Sequence, residues 1–131
     1  MSSEDTPANS LSNPELIATR KEQGELLRAK LLGETARAPW KELQRFFAQG
    51  LTLQAQPGVD LLAVAMALAE DDRPGFEAFM NAGEAGVVSD EQAAIWYNND
   101  ATLWTVVVKP WVLVQEILAA EEKENEKEND Q

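Results

Sequence analysis

LWTVVVKPWVLVQ, residues 103–115, decides the fold of this chain, because an apolar run of that length in a 131-residue sequence can be hidden only in a core. Its even positions are Trp104, Val106, Val108, Pro110, Val112 and Val114, all apolar. Its odd positions mix Leu103, Val107, Trp111 and Leu113 with Thr105, Lys109 and Gln115. Side chains along a strand alternate between two faces, so the pattern predicts a strand with one face fully buried and Trp104 as its first core residue. Pro110 cannot donate to a ladder and marks a bulge, an edge or a break between two segments. Two readings stay open for residues 111–115. The abundance of Val favours a strand, whereas Pro110 at a first helical position would start a helix with Trp111, Val114, Ile117 and Leu118 as its stripe.

Upstream the pattern is helical. Asn13, Pro14 and Glu15 supply an N-cap residue, a proline at the first helical position and an acid in the first turn, so a helix runs from there to about Glu34, with a weak point at Gly24. A second opens at Pro39, carries Trp40, Leu43, Phe46 and Phe47 on one side, and closes at Gly50. Leu51, Leu53 and Ala55 alternate with Thr52 and Gln54 as a short strand that Pro57 and Gly58 end. Asp60 then caps LLAVAMALA, apolar on nearly every side and so buried on more than one. Pro74 opens a helix bearing Phe76, Phe79 and Met80, closed by Gly83. After a brief extended piece at Val87 and Val88, Ser89 and Gln92 make a capping box ahead of Ala93, Ile95, Trp96 and Tyr97. The order predicts an α+β chain, mostly helical, on a small two- to three-stranded sheet.

The length allows one domain, expected over residues 13–120. Residues 1–12 are poor in apolar groups, and residues 121–131 hold six acids, two lysines and no apolar side chain, so both are expected to be disordered tails. The start lacks the basic and apolar regions of a signal peptide, and no stretch approaches the ~20 apolar residues of a membrane span, which predicts a cytoplasmic protein. With no Cys, disulfides, thiolate catalysis and zinc–thiolate sites all drop out. The net charge of −12 opposes association with nucleic acid or anionic membrane. It is unevenly spread: residues 20–45 hold seven bases and four acids, residues 60–100 nine acids and one base, Arg73. Such an acidic stretch either solubilises the surface or forms a face for a basic protein partner.

Four blocks, PWKELQRFFAQG (39–50), AEDD (69–72), VSDEQAAIWY (88–97) and LWTVVVKPWVLVQE (103–116), resemble the shared blocks of a small bacterial family of unknown function, over residues 26–116. The resemblance implies a bacterial cytoplasmic protein of about this size. It carries over no catalytic residue.

Two groups are candidates for a site. Glu70, Asp71 and Asp72 lie at a helix C-terminus, where acids oppose the macrodipole. Asp72 as the cap of the next helix explains one of them; a Mg²⁺ or Ca²⁺ site would need further oxygens converging from elsewhere, such as Asp100 or Glu84. Trp96, Tyr97, Trp104 and Trp111 form the other, readable as core packing or as a cluster in which Trp111 anchors a protein interface, with Leu113 beside it and Lys109 and Gln115 at its rim. With no His, no Cys and no phosphate loop, the expectation is a non-enzymatic interaction or adaptor protein without a cofactor, and a homodimer buried around Trp111 if the last strand lies at a sheet edge. The competing expectation is a carboxylate-based metal-dependent enzyme using Glu70, Asp71 and Asp72; a weaker third is an acidic mimic of nucleic acid.

Overall fold

A computed structural model describes residues 14–118. The two expected tails and the Asn13 cap lie outside the described residues. The chain forms α1 (Pro14–Glu34), β1 (Ala36–Pro39), α2 (Trp40–Ala48), β2 (Thr52–Ala55), α3 (Leu61–Ala69), α4 (Arg73–Asn81), β3 (Ala85–Val87), α5 (Asp90–Asn98), β4 (Thr102–Val108) and β5 (Trp111–Glu116). No helix among the described residues is long and apolar enough to cross a membrane.

Helix starts follow the sequence closely. Asp60 Oδ1 accepts from the N–H groups of Leu62 at 3.1 Å and Ala63 at 3.4 Å, Asp72 Oδ1 from Gly75 at 3.0 Å, and Ser89 Oγ from Gln92 at 3.0 Å. Each satisfies donors that the first turn would otherwise leave without a partner. Four helices stop alike, with one residue turned left-handed and the next N–H reaching back five residues: Leu51 to Phe46, Asp72 to Ala67, Glu84 to Phe79 and Ala101 to Trp96. The turned residues are Gly50, Asp71, Gly83 and Asp100, with φ between 53° and 76°. This is the Schellman closure, built twice on glycine and twice on aspartate.

The strands make one mixed sheet in the order β1-β4-β5-β2-β3, with β2 and β5 parallel and the other pairs antiparallel. Five strands overturn the expected two or three. The extra ones are β1 and β3, edge strands of four and three residues whose sequences ARAP and AGV hold no alternating apolar signal. Residues 111–115 are strand, and the helical alternative is not taken. β5 is central rather than at an edge, so the premise of an exposed last strand fails. Its run of Val112, Leu113 and Val114, all at most 2% exposed, fits a strand covered on both faces.

Val108 pairs with Trp111, leaving Lys109 and Pro110, joined by a cis peptide bond, as a two-residue loop. That loop inverts the parity of the run: even residues of β4 share a face with odd residues of β5. Val106, Val108 and Leu113, with Trp104 and Trp111 partly buried beside them, face α1, α3 and α4. Leu103, Val112 and Val114 face α2 and α5 and pack with Trp40, Leu43, Ala93 and Trp96. The molecule is therefore helix, sheet, helix in three layers with two cores. The single uniformly buried even face does not exist, and Trp104 is half-buried, with the Arg37 guanidinium 5.0 Å above its ring.

Candidate functional site

One cleft brings Asp71 and Asp72 of the first candidate group beside Trp111 of the second, forty residues on in sequence. α3 ends at Ala69, and the Schellman turn at Asp71 swings the chain into α4, which Asp72 caps. That corner stands beside the first residue of β5. Between them opens a cleft of about 370 Å³ with Leu53, Leu68, Phe76, Met80 and Trp111 along its apolar wall and Asp71, Asp72, Arg73 and Glu77 around it. Trp111 is half-buried, packing against the first core while still lining the cleft, and Met80 is 45% exposed. Three carboxylates against one guanidinium leave the cleft negative. An aromatic side chain sharing a cleft with carboxylates attracts cations through both the ring quadrupole and charge-assisted hydrogen bonds, and a methionine wall adapts to varied shapes.

A second cleft of about 520 Å³ adjoins the first, sharing Leu68. It lies between α1 and the end of β4 and carries Lys30 and Lys109 against Glu34. Val107 borders this cleft through its place in the strand, while its side chain, paired with Val112, projects to the opposite face of the sheet.

The other predicted residues fall elsewhere. Glu70, the C-cap of α3, does not line the acidic cleft, and no group of three or more metal-binding side chains comes together among the described residues. Asp72 spends one carboxylate oxygen on its cap. Leu113 is 0% exposed and Gln115 9%, so neither is at a surface. Gln115 Nε2 donates to the carbonyls of Gln56 at 2.9 Å and Val59 at 2.7 Å, which accounts for a polar residue inside and ties the β2–α3 loop to β5. Lys109 is exposed and lines the second cleft. The four aromatics do not form one cluster, because the sheet separates them. Trp96 packs edge-on to Trp40 at 5.1 Å on the far face and donates its indole N–H to Glu116 Oε2 at 2.8 Å, whereas Trp104 and Trp111 are on the near face and Tyr97 is exposed. Sequence reasoning missed Phe76, Glu77 and Met80 as site residues. Their one signal was spacing on α4, which also reads as an ordinary core stripe.

The chain belongs to the family described as "Protein of unknown function (DUF2288)", which matches residues 26–116. The match begins within α1 and ends with β5, so it takes in the whole sheet and both clefts. Among solved structures the chain is similar to that of PA1075 from Pseudomonas aeruginosa, determined by NMR in solution: 47% identity, covering 72% of this chain and 88% of that one, with a TM-score of 0.64. No curated protein matches.

Proposed function

We propose that this protein is a binding module rather than an enzyme, and that the cleft between Asp71, Glu77 and Trp111 receives a basic, apolar-bearing segment of a protein partner. The observation that carries the reading is the joining of an aromatic and thioether wall to three carboxylates in one cleft. Binding hot spots favour a Trp in a pocket that a polar rim keeps from water, and about 370 Å³ lies at the small end of ligand sites, room for one or two side chains. The acidic stretch of residues 60–100, which supplies this rim, gives a basic partner long-range attraction as well as contact.

A direct test titrates ¹⁵N-labelled protein with a short peptide alternating Lys and Leu, beside a control in which Glu replaces every Lys. The Trp111 indole N–H and the amides of residues 71–80 are expected to shift with the basic peptide alone, and Trp111→Ala to abolish the response. An unchanged Trp111 resonance at millimolar peptide ends the reading.

A further inference from the structure

We infer that a second copy of this chain docks on this face, the basic cleft of each protomer covering the acidic cleft of the other about a two-fold axis near Leu68. The inference rests on the reading of the Trp111 cleft as a docking site and names its partner.

The argument comes from how the charges are laid out. A two-fold contact uses the same patch on both partners, so any charge must find its opposite within that one patch. Here the opposites stand side by side: Asp71, Asp72 and Glu77 outnumber Arg73 in one cleft, while Lys30 and Lys109 outnumber Glu34 in its neighbour, and Leu68 belongs to both. Half a turn about that shared wall sets each lysine pair over the other protomer's carboxylates. The patch also carries apolar side chains for such a contact: Met80, 45% exposed, lines the acidic cleft, half-buried Leu27 lines the basic one, and Leu68 belongs to both. A net charge of −12 per chain opposes indiscriminate self-association, so the local complementarity of this face has to supply the attraction.

The test is sedimentation equilibrium on the full chain with paired charge reversals, Lys30→Glu with Lys109→Glu in one variant and Asp71→Lys with Glu77→Lys in the other. None of these four residues is buried or caps a helix start, and circular dichroism confirms that the variants fold. Wild type is expected as a dimer at about 100 µM, and each variant alone as a monomer, its dimerisation weakened at least tenfold. Mixed in equal amounts, the two variants restore both reciprocal contacts and are expected to form a heterodimer. A monomeric wild type, a dimer indifferent to both reversals, or variants that stay apart when mixed would each overturn the inference. The lysine-reversed variant keeps the Trp111 cleft intact and must still bind the basic peptide. A monomeric wild type that binds it loses the dimer and keeps the docking site, whereas loss of peptide binding fells the parent reading.

Discussion

Asp71 and Asp100 hold the left-handed turn that glycine holds at two sister helix ends, and an L side chain there works against its own Cβ. Relief of that strain, about 1 kcal/mol for an Asp, outweighs the unfolded-state entropy that glycine adds, about 0.5 kcal/mol, so Asp71→Gly and Asp100→Gly are each expected to raise stability by roughly 0.5 kcal/mol in urea titrations. Gly75 is constrained differently: a Cβ there would run into the Asp72 carboxylate that caps α4. Gly75→Ala is expected to cost about 1 kcal/mol, the worth of the displaced cap. The two buried tryptophans of the second core separate cleanly. Trp40 is 0% exposed, and its Nε1 has no acceptor among the described residues, while Trp96 donates to Glu116. Trp96→Phe therefore loses a charge-assisted bond worth about 1.5 to 3 kcal/mol that Trp40→Phe does not, and thermal melts of the two variants should fall in that order.

Between elements, the clearest dependence is the Gln115 staple. Gln115→Leu leaves the Val59 carbonyl without its amide donor at the turn that leads into α3, while the Gln56 carbonyl keeps the Val59 N–H at 3.1 Å. A cost of about 1 to 2 kcal/mol is expected for the one acceptor left unpaired, and a loss under about 0.5 kcal/mol would mean that water replaces the amide. Much at this scale is legible in the sequence, since helix caps are local: Asp60, Asp72 and Ser89 each bond an N–H two or three residues on, within the span a reader can see. The β4–β5 hairpin is half legible. Pro110 announces a break, but the facing of Trp104 relative to Trp111 depends on whether two or three residues form the loop, and that count shifts every later side chain to the other face. β1 is illegible and β3 is met only at Val87, within the expected extended piece at Val87 and Val88, because short edge strands owe their form to the partner they pair with rather than to an apolar pattern. The cleft shares that cause: only the fold brings Asp71 beside Trp111.

For the molecule as a whole, the acids at the α3–α4 corner are expected to answer to cationic side chains rather than to metal. Millimolar Mg²⁺ or Ca²⁺ should leave the melting temperature where NaCl of equal ionic strength leaves it; a rise that Asp71→Asn removes would return the metal-dependent reading. The strand order carries a consequence of a different kind, for synthesis. Among the described residues β5 is the strand translated last, yet it fills the middle of the sheet, parallel to β2 at a pairing of Thr52 with Val112. Until it emerges from the ribosome, β2 and β4 have no common neighbour, both cores lack their central wall, and the sheet is two separate fragments. The nascent chain cannot settle its fold piece by piece and must close a span of about sixty residues in one late step, which contact-order arguments mark as slow. A nascent chain arrested with Pro110 as its last exposed residue should remain open to protease along its whole length, and one extended past Glu116 should become resistant all at once.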